Sequence, residues 1–348
     1  MANNTNSDID VLAEHREARP LGGSITVAVA QLGGPWLDPK ARLARALHAA
    51  ETAARRGAEL IVYPETYLSG YPFWLSRTGG AAFDDPEQKA CYAYYLDAGI
   101  EIGGAEQREL ETASADLGIS MIMGIAERGR SLGRTSIWCT LLTIDPAAGL
   151  VGHHRKLVPT YDERLVWAPG DGAGLRTHRV AAATVGSLNC WENWMPQARS
   201  ALHALGEDVH VGVWPGSATL TGDITRFVAA EGRAFSVAAS GIATAEDIPD
   251  GFPLAERLRE SAADLPFDGG SCIAGPDGKW ILPPVTNAEG LLIAELALAR
   301  VSEERLNFDP TGHYARPDVF RTTVRRSRND TVAFIDTPPR DETETADD

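Results

Sequence analysis

An α/β fold is what this sequence predicts, on two observations. Short apolar runs alternate with amphipathic helical segments from residue 25 to residue 300, and no linker composition interrupts that alternation. The chain therefore reads as one domain, and its 348 residues are ordinary for a two-layered α/β unit.

In chain order, Ile25 to Gln31 alternates apolar with small residues and opens the fold as a strand, so residues 1–24 stand as an N-terminal extension. Pro39 begins a helix with Leu43, Leu47, Ala50 and Ala54 on one face, and Gly57 stops it. Glu59 to Tyr63 is a short apolar strand running into Pro64-Glu65. Pro86 to Leu117 reads as one amphipathic helix, and Ile119 to Glu127 as the next strand. Ile137 to Asp145 meets a turn at Pro146 to Gly149 and returns as Val151 to Lys156, a hairpin. Ala181 to Leu188 is a buried strand that ends at Asn189-Cys190. After it come a helix at Gln197 to Leu205, a strand at Val209 to Trp214, a helix at Ile224 to Ala230 and a strand at Phe235 to Ser240. Gly270 to Ala274 and Trp280 to Leu282 form a hairpin across Pro276-Asp277-Gly278, and Leu291 to Leu296 closes the sheet system. Residues 336–348, rich in Pro, Thr, Asp and Glu, read as a solvated, disordered acidic tail.

The formal charge of -16 would repel a phosphate backbone, so nucleic acid is not an expected partner and a small uncharged substrate fits better. Met1 to Ser24 lacks the basic and apolar blocks of a secretory segment, and no apolar run approaches the roughly 20 residues of a membrane span. The four cysteines, at 91, 139, 190 and 272, stand apart without a CxxC pair and read as reduced thiols in a cytoplasm. No phosphate-binding loop and no Gly-x-Ser-x-Gly elbow occurs, and Gly170-Asp171-Gly172-Ala173-Gly174 reads only as a flexible loop. His153-His154 would point to opposite faces of a strand, so no metal site and no cofactor is expected.

Three chemically useful side chains finish three different strands: Glu65, Lys156 and Cys190. Hydrolysis of a carbon-nitrogen bond without a metal needs a strong nucleophile, a base to ionise it and a positive group for the developing charge, and these residues supply one of each. A lone Cys after an apolar strand is most often a packed core residue. Cys190 leaves that class because Trp191-Glu192-Asn193-Trp194-Met195-Pro196 places a polar and aromatic run at a strand-to-helix turn. Cys91, Cys139 and Cys272 read as buried or spectator thiols.

The chain resembles the nitrilase branch of the carbon-nitrogen hydrolase superfamily. The resemblance lies in Tyr63-Pro64-Glu65-Thr66, His154-Arg155-Lys156-Leu157-Val158-Pro159-Thr160 and Leu188-Asn189-Cys190-Trp191-Glu192-Asn193-Trp194-Met195-Pro196, in family order. It extends from about 25 to about 322 and includes Gly269-Gly270-Ser271-Cys272 and Gly312-His313-Tyr314-Ala315-Arg316-Pro317-Asp318. It implies a four-layer α-β-β-α sandwich, with Glu65 as general base, Lys156 as the cation facing the tetrahedral intermediate and Cys190 as nucleophile. It further implies that Glu163 holds Lys156, where the sequence by itself would pair Glu163 with Arg164.

Trp191-Glu192 after the nucleophile resembles nitrilases more than amidases, so an organic nitrile hydrolysed to an acid and ammonia is the expected reaction. An amidase or carbamoyl-amide hydrolase on the same fold is the alternative. From other classes, an idle interaction protein is opposed by the intact Glu65, Lys156 and Cys190, and a thiol redox protein lacks a resolving cysteine near Cys190. Tyr161-Asp162 departs from the His and small residue common in the family, which bears on substrate preference. Trp191, Trp167, Trp214 and Tyr71 are candidates to line the substrate site. The resemblance also implies a homo-oligomer, a two-fold dimer or a larger spiral, with the hydrolase domain at 25–306 and an oligomerisation segment at 307–335.

Overall fold

The side-chain alternation along β2 (Ser24–Gln31) explains where the cores lie. Ile25, Val27 and Val29 face one way into a fully buried cluster shared with a second sheet. Ala28 and Ala30 face the other way and meet Leu43, Ala46 and Ala50 of α1 (Pro39–Arg55). The helix starts where Asp38 accepts a hydrogen bond from the Ala41 N–H at 3.0 Å and Pro39 needs no donor partner. It is a computed structural model and describes residues 9–17, 22–130, 133–261, 265 and 267–329.

The first sheet runs in the order β1 (Val11–His15), β14 (Gly290–Ala297), β2, β3 (Leu60–Val62), β5 (Ser120–Arg128), β6 (Ile137–Asp145) and β7 (Gly149–Arg155), with β4 (Ile100–Glu101) paired to β5 off that path. The second runs β13 (Trp280–Thr286), β12 (Gly269–Ala274), β11 (Phe235–Ser240), β10 (Val209–Trp214), β9 (Ala183–Asn189) and β8 (Thr177–Val180). Val185, Val209, Val211, Val213, Phe235 and Val237 of the second sheet pack face to face on Val27, Leu60, Val62 and Ile122 of the first. α1 and α4 (Ala105–Leu117) cover the outer face of the first sheet. α6 (Ala218–Gly232) covers the second through Ile224 and Val228, and α5 (Pro196–His203) lies beside it. The architecture is the expected α-β-β-α sandwich.

Two of the elements that differ from the sequence reading bear on the first sheet. Val11–His15, inside the segment taken as an extension, forms β1 and pairs in parallel with β14 at the sheet edge. The segment 86–117, read as one helix, is two: α3 (Pro86–Asp97) and α4, separated by β4. Gly99 makes the break, since a Cβ there would lie 2.8 Å from Arg128 Cβ and 2.9 Å from the Leu96 carbonyl oxygen. Short helices α2 (Trp74–Thr78), α7 (Ala255–Glu260) and α8 (Ala299–Arg305) complete the described elements.

Candidate active site

Parallel strands of both sheets end on the same side, and the loops after them carry the chemistry. After β3 the chain turns through Pro64, Glu65 and Thr66, where Thr66 takes φ +47°. Gly124 of β5 gives this turn its room, because a Cβ there would stand 2.2 Å from the Pro64 carbonyl oxygen. The Glu65 N–H donates to the Trp214 carbonyl at 3.3 Å, tying the end of the first sheet to the end of the second.

Lys156 follows β7, with its N–H on the Cys139 carbonyl and its carbonyl accepting from Gly170 N–H, both at 2.8 Å. Glu163 sits in a 3-10 turn (Tyr161–Leu165) that Thr160 caps. Cys190 opens a second such turn (Cys190–Trp194) after β9. Its φ of +44° is a conformation costing an L-residue roughly 1–2 kcal/mol, so the surroundings must hold it. Glu192 does part of this. Buried, it accepts from Asn189 N–H at 2.8 Å, from Leu157 N–H and from His154 Nε2 at 3.0 Å, so it clamps the Lys156 loop to the Cys190 turn.

The sequence-separated groups meet. Lys156 Nζ lies 2.8 Å from Glu65 Oε1 and 2.8 Å from Glu163 Oε2. The Cys190 sulfur and one oxygen of each carboxylate lie within 4.8 Å of one another. None of the four residues exceeds 2% exposure. Glu65, Glu163 and Cys190 together have the donor set of a cation site, but the Lys156 ammonium already lies between the carboxylates. Glu163 pairs with Lys156 and not with Arg164, whose guanidinium reaches the Pro159 carbonyl at 3.0 Å.

Burial pushes the Glu65 carboxyl up, and Lys156 only partly counters burial and the nearby Glu163, leaving it at about 7. Burial likewise pushes the Cys190 thiol well up, against the pull of Lys156 and the Trp191 backbone N–H. Burial opposes charge on Lys156, yet Glu65, Cys190 and Glu163 together outweigh it and hold the ammonium well above its ordinary range. At neutral pH the resting site is thus a thiol, a charged amine and a carboxyl poised between its two forms.

Of the aromatic candidates, Tyr71 donates to Glu163 Oε1 at 2.9 Å and meets Trp167 edge-on at 5.7 Å between centroids. The Trp167 ring lies 5.4 Å from Lys156 Nζ. Trp214 is buried in the same cluster as Cys190. Trp191 differs: the residue is 48% exposed, its ring lies 6.4 Å from that of Trp194, and its backbone N–H acts on the thiol. A cavity of about 20 Å³ adjoins Glu65, lined by Trp36, Tyr67, Tyr71, Phe73 and Phe267 among others.

Two features escaped the sequence reading. Cys139, read as a buried or spectator thiol, is buried but also places its sulfur 3.4 Å from Glu65 Oε1; the hairpin register that sets Lys156 beside it was the available signal. The loop 170–174, read as flexible, is packed tightly. A Cβ on Gly174 would lie 2.3 Å from His154 Cα, one on Gly170 would lie 2.2 Å from the Arg155 carbonyl oxygen, and Asp171 is buried. Its glycines permit close approach to the Lys156 segment. His153 and His154 do face opposite ways, to Glu127 at 2.7 Å and to Glu192.

The carbon-nitrogen hydrolase family matches residues 26–305. A nitrilase 2 from an unknown prokaryotic organism is 34% identical over 316 residues, covering 90% of this chain and 96% of that protein. The chain belongs to the carbon-nitrogen hydrolase family, in its nitrilase branch. An aliphatic nitrilase of Rhodococcus rhodochrous is 33% identical, covering 90% of this chain and 82% of that protein. An arylacetonitrilase of Trametes versicolor is also 33% identical, covering 78% and 87%. Among solved structures, an amidase from Nesterenkonia sp. AN1 aligns with a TM-score of 0.59 at 19% identity, covering 81% of this chain and 97% of that one. At that identity the likeness speaks to the carbon-nitrogen hydrolase fold alone. No helix among the described residues is long and apolar enough to cross a membrane.

Proposed function

We propose that this carbon-nitrogen hydrolase is a nitrilase, converting an organic nitrile to a carboxylic acid and ammonia through a covalent adduct on Cys190. The observation that carries the reading is the meeting of the Cys190 thiol, two carboxylates and the Lys156 ammonium in one buried cluster. Names of relatives at 30–34% identity over most of the chain support the nitrile as substrate.

With the thiol and Glu65 poised as they are, the proton stays on sulfur until substrate arrives. Glu65 takes it as the sulfur adds to the nitrile carbon and passes it to the nitrile nitrogen, which gives a thioimidate and leaves Glu65 a carboxylate again. Glu65 Oε1 already receives Lys156, while Oε2 has no partner among the described residues and is the oxygen free to act. Water then adds to the thioimidate carbon with Glu65 as base. Lys156 and the Trp191 backbone N–H stabilise the tetrahedral species, ammonia leaves and a thioester remains. A second water releases the acid and restores the thiol. Glu163, bonded to Lys156 Nζ and to Tyr71, keeps the ammonium aimed at the reacting carbon.

Replacing Cys190 with Ala is expected to abolish ammonia release from every member of a nitrile panel with the fold unchanged by circular dichroism. Retained turnover would remove the proposal. Pairing each nitrile with its amide separates nitrilase from amidase, since an enzyme releasing ammonia from the amides alone is not a nitrilase.

Four free, buried and separated thiols support a cytoplasmic setting. The exposed Tyr314, Val319 and Phe320 support residues 307–335 as an oligomerisation segment, of which 330–335 lie outside the described residues, as does the acidic tail at 336–348. Light scattering is expected to give a dimer or larger, and a monomer at working concentration would refute this assignment.

A further inference from the structure

Against the nucleophile turn lies a chain of buried polar groups that the mechanism above does not use. Asn193 Nδ2 faces two carbonyl oxygens, Cys190 at 2.8 Å and Leu188 at 3.4 Å. Carbonyls only accept, so the amide orientation is fixed: the nitrogen points to the turn and Oδ1 points away from it. Oδ1 meets His210 Nε2 at 2.8 Å, and that nitrogen must therefore donate. The other ring nitrogen, Nδ1, lies 3.1 and 3.2 Å from the two oxygens of Glu207, which also receives His203 Nδ1 at 2.7 Å. Burial alone would raise the Glu207 carboxyl; the two imidazoles outweigh it and hold it at about 2, so this carboxylate stays an acceptor.

Every member of the chain is at least nine-tenths buried. Gly212 on β10 makes the space. A Cβ there would lie 3.1 Å from Asn193 Oδ1 and 3.2 Å from Nδ2, so the amide lies flat against the strand. The chain begins on β10, with His210, and ends on the carbonyl of Cys190, the residue held at φ +44°. Rotation of the peptide after Cys190 would move that carbonyl and swing the thiol away from Glu65 and Lys156.

We propose that His210 is a positioning residue for the nucleophile: its Nε2–H locks the Asn193 amide, which in turn anchors the Cys190 carbonyl and holds the thiol in its reactive orientation. The inference rests on the reading of Cys190 as nucleophile.

Two substitutions separate the two ends of the ring. His210→Gln keeps a donor near the position of Nε2 and gives up the bond to Glu207, whereas His210→Asn keeps a donor near Nδ1 and gives up the bond to Asn193. The full-length protein is treated with iodoacetamide at neutral pH, and the rate of Cys190 alkylation is read by peptide mass spectrometry beside kcat and KM for the nitrile the wild type turns over best. His210→Asn is expected to lower both the alkylation rate and kcat by about 10- to 100-fold with KM little changed. His210→Gln is expected to restore both to within about threefold. A merely structural ring would lower the melting temperature in both variants without this rescue. Gly212→Ala leaves His210 intact but displaces the Asn193 amide; it is expected to slow alkylation in the same way, and it stands in should either His210 variant fail to fold. Equal rates in His210→Asn and wild type, or equal losses in the two His210 variants, would overturn the proposal. If instead wild-type Cys190 neither alkylates nor supports turnover, the nucleophile reading fails first and takes this inference with it.

Discussion

Glu163→Gln changes one charge in the buried cluster and almost nothing in its shape, so it isolates what the second carboxylate does. The amide oxygen can still accept from Lys156 Nζ and from Thr160 N–H, and the Tyr71 hydroxyl, now facing the amide nitrogen, turns from donor to acceptor. What is lost is the repulsion between Glu163 and Glu65, whose nearest oxygens lie within 4.8 Å. At that separation, with an effective dielectric of about 20, two unit charges repel by roughly 3.5 kcal/mol, or about 2.5 pKa units. Glu65 stands at about 7 with Glu163 present, and in the variant it becomes the partner that alone balances Lys156. The ionised form of Glu65 is then favoured. Activity requires that ionised form, so kcat/KM of the wild type should fall as pH drops through about 7. In Glu163→Gln the acid limb should move down by at least about 1 unit, with about 2.5 as the ceiling, and the plateau should be lower because the base is weaker. The assay is ammonia release across the pH range, with thermal scans to confirm folding at each point. An acid limb that stays in place or moves upward would refute the electrostatic account of the site.

Gly124→Ala should cost about 1–3 kcal/mol of stability and, by shifting the Glu65 turn about 1 Å, lower kcat on the order of 100-fold. Its Cβ would lie 2.2 Å from the Pro64 carbonyl oxygen, and a variant with wild-type kcat would show that the turn tolerates displacement. His203 supplies a test of stability against pH. Burial opposes its charge, but the Glu207 and Glu231 carboxylates, accepting from the ring and attracting its charge, raise its pKa from 6.5 to about 9. A raised folded-state value stabilises below the unfolded pKa, so this contribution, roughly 3 kcal/mol, is fully present below about pH 6.5 and lost as pH rises through about 9. Melting temperature should fall across that window in the wild type and much less in His203→Gln; parallel curves would remove the assignment.

The site was legible in the sequence where its residues end strands. Glu65 and Cys190 each follow a short apolar run, Lys156 follows the return strand of a hairpin, and the family motifs give their order along the chain. The α/β class was legible in the alternation of strands and helices, and the sandwich only through the family resemblance; that the two faces of β2 serve two cores is seen in the structure. Other features depend on contacts between distant segments. β1 is short, carries Glu14 and His15, and lies at an edge where only one neighbour orders it, so its five residues have no strong period. The helix break at Gly99 is imposed by Arg128 of a later strand. The close packing of loop 170–174 follows from what lies opposite its glycines, and a glycine run in sequence looks the same whether it is loose or pressed against a neighbour. Trp191 is half exposed beside Cys190, whose left-handed conformation is a backbone choice that no pattern of residue types announces.

The backbone bond between Glu65 and Trp214 places the base on a seam between two separately built halves of the molecule. Any substitution that thickens or thins the valine-rich filling between those halves, such as a change at Val211 or Val213, would alter how far base and nucleophile stand from each other without touching the pocket wall. Catalytic rate in such a protein can be tuned from remote positions, and a library aimed at the filling would search reactivity while leaving recognition of the organic group alone.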